Sequence, residues 1–143
     1  MKEIPLYSGC FVCGQQNPRG LKARFLWDGE KAVCNITLTE NFTGCKGLLH
    51  GGILATLLDE VMIKALLAEG ILAVTAEITF RLIKPAYSGD KLHFEGRKKF
   101  EKGTVYFTEG MGINQNNEII AEATARYVKP GRGLSGKLSE SRD

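Results

Sequence analysis

The sequence predicts an α+β domain, a curled antiparallel β-sheet wrapped around one long central α-helix, and three observations carry that prediction. One segment, from about Gly51 to Glu69, is apolar over most of a helical circumference. Segments on both sides of it alternate apolar and polar residues with the period of a strand. The connections between the later strand segments are short, which makes successive strands antiparallel neighbours. One helix cannot cover both faces of a sheet built from two strands before it and four after it. The sheet therefore curls around the helix and turns its other face to water or to a partner subunit.

The chain before residue 21 carries Gly9, Gly14, Pro18 and Gly20 and reads as an irregular arm, residues 1–20, leading into a domain of residues 21–130. Leu21, Ala23, Phe25 and Trp27 alternate with Lys22 and Arg24, and Asp28-Gly29 supplies a tight turn. The return strand places Ala32, Cys34, Ile36 and Leu38 on one face. The helical segment that follows is dominated by Ala, Leu, Met, Glu and Lys, all good helix formers, and Gly70 stops it. Its polar residues Thr56, Asp59, Glu60 and Lys64 share one side, and a helix so apolar elsewhere belongs at the buried centre of the fold.

Alternation then returns. Leu72, Val74, Ala76, Ile78, Phe80 and Leu82 point one way, and Ala73, Thr75, Glu77, Thr79 and Arg81 the other. Pro85 and Ser88-Gly89-Asp90 end this strand. Three more strands are expected near 91–100, 103–113 and 118–129, joined by turns at Lys102-Gly103 and Asn114-Gln115-Asn116-Asn117. From Gly131 to Asp143 the chain is mostly Gly, Ser and charge, the composition of a flexible tail.

A length of 143 residues suits one domain, and 43% hydrophobic with 24% charged residues is ordinary for a globular protein. A net charge of +3 is too small to argue for nucleic acid as a partner. No apolar run approaches the ~20 residues that span a bilayer. The stretch from Met1 to Gly9 has no basic segment followed by an apolar core, so the expected location is the cytoplasm. Without an export signal, disulfides among Cys10, Cys13, Cys34 and Cys45 are not expected. Cys10 and Cys13 make half of a zinc signature, but no second pair follows and His50 and His93 lack ligand spacing, so no metal site is read here. No βαβ pattern adjoins the pair to make it a redox motif.

The stretch that carries chemistry runs from His50-Gly51-Gly52 to Asp59-Glu60. Two glycines at a helix start let a ligand approach the backbone, and the first N–H groups of a helix have no intrahelical partner. A carbonyl oxygen gaining negative charge can be held there, each such donor being worth ~3 kcal/mol in a transition state. Asp59 has Ala55, Thr56, Met62 and Ile63 as helical neighbours, an apolar setting that suits a base or nucleophile. Glu60 has Lys64 four residues on, in the order that favours a surface ion pair.

His-Gly-Gly with an acidic residue nine positions after the histidine resembles the signature of hotdog-fold acyl-CoA thioesterases of the phenylacetate-pathway and 4-hydroxybenzoyl-CoA types. Thr75-Ala76-Glu77-Ile78-Thr79-Phe80, Lys84-Pro85 and Gly89-Asp90 resemble the strand and turn that follow the helix in that superfamily. Cys10-Phe11-Val12-Cys13-Gly14 with Asn17-Pro18-Arg19-Gly20-Leu21 resembles the arm of one of its subgroups. The resemblance implies a hotdog fold, hydrolysis of acyl-CoA to free acid and CoA, no cofactor, and a site at the interface of a homodimer or homotetramer. It makes Asp59 the catalytic carboxylate, as general base on water or as nucleophile, and Gly51 the backbone N–H that polarises the thioester carbonyl, with Gly52 beside the substrate. His50 shapes the turn or simply caps the helix. Thr75 orients the attacking water or is an ordinary strand threonine. Arg97, Lys98 and Lys99, with Lys129, are candidates for the CoA phosphates, or a solvated turn. Several relatives place an asparagine six residues before the histidine, where this chain has Gly44. That departure favours the alternative of a non-catalytic acyl-CoA-binding module, whereas the retained Asp59 favours an enzyme.

Overall fold

The computed structural model describes residues 1–4 and 7–140. Its centre is helix α1 (Gly51–Ala68), and a seven-stranded antiparallel sheet wraps it. The strands are β1 (Lys2–Glu3), β2 (Leu26–Trp27), β3 (Ala32–Thr37), β6 (Val74–Leu82), β7 (Lys91–Lys102), β8 (Val105–Ile113) and β9 (Ile119–Val128), in the order β1-β2-β3-β7-β8-β9-β6. Two short strands, β4 (Thr43–Cys45) and β5 (Leu48–Leu49), form a separate pair just before α1. A second helix, α2 (Arg132–Glu140), follows the last strand.

Leu54, Leu57, Leu58, Val61, Met62, Ala65 and Leu66 of α1 are buried, as its all-round apolar pattern requires. Each large apolar side chain so placed contributes about 1.5–3 kcal/mol. The inner face of β9 is built from Ala121, Ala123, Ala125 and Tyr127, three small residues and one large one. The helix packs directly on β7 at Gly96, where a Cβ would stand 2.5 Å from the Val61 carbonyl oxygen, so only glycine allows this approach. Gly70, at φ +80°, ends the helix in the left-handed conformation that side chains avoid. Among the described residues no helix is long and apolar enough to cross a membrane.

Three expectations need correction. The first strand is shorter than its alternation suggests. Leu21, Ala23 and Phe25 are buried, but only Leu26 and Trp27 are paired as strand, because the N–H groups of Leu21 and Ala23 bond to the carbonyls of Phe11 and Val12 in the arm. The arm is therefore folded onto the domain, and its first residues add β1 to the sheet edge. The segment expected to be an unstructured tail forms α2 over Arg132–Glu140, and Ser141 to Asp143 lie outside the described residues. The two leucines of α2 lie one helical turn apart, Leu134 exposed and Leu138 turned toward the domain. Leu138 shares a cavity wall with Tyr7, Ile63 and Leu67.

Candidate functional site

His50 is the N-cap of α1: its backbone is extended and its Nδ1 accepts the Gly52 N–H at 2.9 Å. The Ile53 and Leu54 N–H groups bond back to the His50 carbonyl. Of the helix's first four donors, only the Gly51 N–H has no protein acceptor among the described residues. The glycine pair thus presents one free N–H at the positive end of α1, fixed in direction by the cap. Gly44 lies against the His50 ring, where a Cβ would sit 3.1 Å from Cδ2. The position occupied by asparagine in several relatives therefore borders this turn, but here offers no side-chain donor.

Two turns along the helix, Asp59 is half-buried and held by two hydroxyl groups. The Tyr127 hydroxyl donates to Asp59 Oδ1 at 2.9 Å and lies 3.0 Å from the Asp59 carbonyl oxygen. The Thr75 hydroxyl donates to the same Oδ1 at 3.2 Å. No donor among the described residues reaches Oδ2. The carboxylate is oriented through one oxygen, and the other carries no protein donor. Tyr127 is completely buried, and burial, with the Asp59 charge next, pushes its hydroxyl well above the usual tyrosine range. It stays a protonated donor.

A bulge brings the two hydroxyls together. Thr75 pairs with Tyr127 across β6 and β9, and the next pair is Glu77 with Arg126, so Ala76 is an extra residue. The simple alternation puts Thr75 on the face of Glu77 and Thr79. The bulge instead moves it to the face of Ile78, which is opposite Ala125 on the inner side of the sheet. Sequence reasoning missed Tyr127. The signal available was a lone tyrosine in the alternating series Ala121, Ala123, Ala125, Tyr127.

The run Arg97-Lys98-Lys99 is not a turn; it lies inside β7 and is already paired. Arg97 contacts Glu109 at 2.5 Å, Lys98 contacts Glu69 at 2.8 Å, and Lys99 lies 3.9 Å from Glu109. The Glu69 carboxylate holds the Lys98 ammonium above its ordinary pKa. An anion approaching these residues competes with carboxylates already beside them.

Glu60 is not in a surface ion pair. The arm crosses this side of α1, so Glu60 and Lys64, 3.9 Å apart, lie beneath Cys10 and Cys13 with Lys64 4% exposed. Burial, followed by the nearby Cys10, pushes the Glu60 carboxyl up to about 7. Cys10 is drawn down to about 5, chiefly by a hydrogen bond from Cys13, with the Cys13 and Val12 N–H groups and the Lys64 charge acting against its burial. Cys13, giving that bond and itself buried, is raised.

Residues 46–121, just over half of the chain, match the family model of the thioesterase superfamily. Acyl-coenzyme A thioesterase 13 of Mus musculus is 32% identical over 105 residues, covering 72% of this chain and 70% of that protein. The structure resembles the Escherichia coli PaaI protein of the phenylacetic acid degradation operon, with TM-score 0.71, 22% identity and coverage of 76% of this chain and 83% of that one. It also resembles a Streptococcus mutans protein solved with acetyl-CoA bound, with TM-score 0.68, 22% identity and coverage of 76% and 89%.

Proposed function

Because the chain belongs to the thioesterase superfamily, we propose that it hydrolyses acyl-CoA thioesters with Asp59 as the reacting carboxylate and the Gly51 N–H as the oxyanion donor. One observation carries this reading: Asp59 is fixed through Oδ1 by the hydroxyls of Tyr127 and Thr75, with Oδ2 left without a protein donor. Two neutral donors on one oxygen fix the direction of the carboxylate without neutralising its charge. A carboxylate that must receive a proton from water, or attack a carbonyl carbon, needs a defined direction. Water, or Asp59 itself, adds to the thioester carbonyl. The negative charge on the carbonyl oxygen is met by the Gly51 N–H, and CoA leaves as the thiol once a proton reaches its sulfur. Through the nucleophilic route, water then cleaves the mixed anhydride formed on Asp59.

Helix geometry adds a condition. Gly51 and Asp59 are eight residues apart on one straight helix, which separates them by ~12 Å. A single thioester carbonyl cannot reach both in the same chain, since each must lie about 3 Å from it. The reading therefore includes a homo-oligomer in which Gly51 of one protomer and Asp59 of another share a substrate. Leu82, 54% exposed with Cδ1 only 2.7 Å from where a Gly51 Cβ would be, and Ile83 and Tyr87 give the region around the helix start an uncovered apolar surface for such contact. Gly44 is the observation on the side of a binding module, since it removes a side-chain donor next to the His50 turn.

The test is thiol release from a panel of acyl-CoAs by the parent protein, by Asp59→Asn, by Gly51→Pro, and by the two variants refolded together. Turnover by the parent, its loss in each variant and partial recovery in the mixture is the expected pattern. Parent protein that binds acyl-CoA but releases no thiol from any of them assigns the fold to binding alone. Turnover that is absent from the mixture as well as from each variant removes the shared-site condition.

A further inference from the structure

The Cys10-Phe11-Val12-Cys13-Gly14 turn is a sequence motif that thioester hydrolysis leaves unused. Its backbone is arranged around the first sulfur. The N–H groups of Val12 and Cys13 lie 3.4 and 3.5 Å from Cys10 Sγ, and the Gly14 N–H closes the turn onto the Cys10 carbonyl at 2.9 Å. Only glycine fits after the second cysteine, because a Cβ there would lie 2.3 Å from the Ser8 carbonyl oxygen and 2.4 Å from the Cys10 nitrogen. Backbone donors aimed at sulfur favour a thiolate, the form in which cysteine binds a metal.

The third donor comes from α1, across the fold. One ligand atom each from Cys10, Cys13 and Glu60 lie within 4.8 Å of one another. A tetrahedral zinc-type centre holds sulfur at ~2.3 Å and carboxylate oxygen at ~2.0–2.2 Å, which places its ligands roughly 3.5–3.8 Å apart. Side-chain movement on the order of 1 Å closes the triad on such an ion. Charge agrees with this. Two thiolates and one carboxylate around a divalent cation leave one negative charge, and the buried ammonium of Lys64, 3.9 Å from Glu60, offsets it. Sulfur in the donor set excludes magnesium and calcium and selects a borderline-soft metal. A cavity of about 300 Å³, bounded by Tyr7, Lys64 and Leu138 as well as the triad, leaves space for a fourth ligand from solvent.

We propose that Cys10, Cys13 and Glu60 form a three-ligand site for a divalent cation of the zinc class, which clamps the N-terminal arm to α1 one residue beyond Asp59. The sequence alone offers only half of this ligand set. The remainder becomes visible when the arm is seen to fold over the helix face that carries Glu60.

The experiment uses the full chain, reduced and stripped with chelator, titrated with Co²⁺ and then with Zn²⁺. One Co²⁺ per chain is expected, with a thiolate-to-cobalt charge-transfer band and the strong visible absorption of a tetrahedral ion. Zn²⁺ displaces it, and metal saturation raises the melting temperature. Cys10→Ser abolishes the band, and Glu60→Gln weakens Co²⁺ binding more than about 100-fold, beyond what loss of an outer-shell partner costs. Cys45→Ser, at an exposed thiol outside the triad, titrates like the parent. Cys13 is buried and its substitution risks misfolding, so Cys10→Ser and Glu60→Gln decide, with circular dichroism confirming that both are folded. Absence of stoichiometric uptake by the parent, or uptake that survives Cys10→Ser, overturns the proposal. So does a parent that takes up no metal but forms a Cys10–Cys13 disulfide under mild peroxide, which assigns the pair to thiol redox chemistry. None of these readouts uses thioester turnover, so the site stands or falls apart from the hydrolytic reading.

Discussion

Asp59 and Glu60 are adjacent carboxylates on one helix, turned about 100° from each other, and they meet opposite chemistry. Asp59 faces the β6–β9 edge of the sheet and receives two neutral hydroxyl donors. Glu60 faces the arm and lies among two thiols and a buried ammonium. The first environment orients an anion without neutralising it, which is what a reacting carboxylate needs. The second makes ionisation costly even with the Lys64 ammonium nearby, because burial and the neighbouring Cys10 outweigh it, and a bound cation would offset that cost. A one-residue step on a central helix thus separates the two proposed roles, because the sheet covers one side and the arm covers the other.

The sharpest break in this comparison is Asp59→Asn, which removes the anion and leaves its size. Turnover is expected to fall about 10²–10⁴-fold, the range for losing a general base, with acyl-CoA still bound by equilibrium measurement. Gly51→Pro comes next. Proline is accepted at the first helical position, and the extended backbone of His50 suits the residue before it. A Cβ there meets only Cδ1 of Leu82, the far end of a flexible side chain. The fold is retained, the one N–H is lost, and kcat should drop about 10²–10³-fold. A Gly51→Pro enzyme with unchanged kcat would remove the oxyanion role from this turn.

Glu60 sharpens the contrast through pH. Its carboxyl is pushed up to about 7 in the folded protein, against an ordinary value of 4.5. Between those values the folded state holds more protons than the unfolded chain, so this group lowers stability as pH rises through the window, and its full cost is present above pH 7. Glu60→Gln carries no such cost. In metal-free protein, urea unfolding should show the parent losing about 3 kcal/mol relative to the variant between pH 4 and pH 8. A pH-independent difference places Glu60 in water, and with it the arm elsewhere. Tyr127→Phe acts on the other carboxylate. A hydrogen bond to a charged acceptor is worth about 1.5–3 kcal/mol, so kcat should fall roughly tenfold to a hundredfold with KM little changed.

The parts of this molecule legible in the sequence are those governed by local periodicity. The helix is found between Gly51 and Gly70 because its composition and its stop are local signals, and β7, β8 and β9 are found because alternation and turn residues agree. The fold follows from counting one helix against many strands. What escaped detection depends on contacts distant in sequence. Glu60 and Lys64 have the spacing of a surface pair, and nothing within the helix shows that residues 10–13 lie on top of them. Tyr127 reads as a core tyrosine until β9 is seen to run beside Asp59. The helix at Arg132–Glu140 was hidden by Gly133 and Gly136, which lower local propensity, although Leu134 and Leu138 have helical spacing.

The smallest expected effect tests the subtlest of these features. Thr75 reaches Asp59 only because Ala76 is bulged, so its hydroxyl measures whether that irregularity serves the site or is incidental. Its bond is longer than that of Tyr127 and more exposed, so its net value is about 1 kcal/mol. Thr75→Val keeps the shape and the strand preference, and kcat should fall about fivefold, while Thr75→Ser restores most of it. The order matters as much as the size. Loss at Tyr127 should exceed loss at Thr75, and the double variant should lose less than the product of the two, since both donors share Oδ1. Strict additivity would mean that the two hydroxyls act independently of each other, and not as one unit holding a single oxygen.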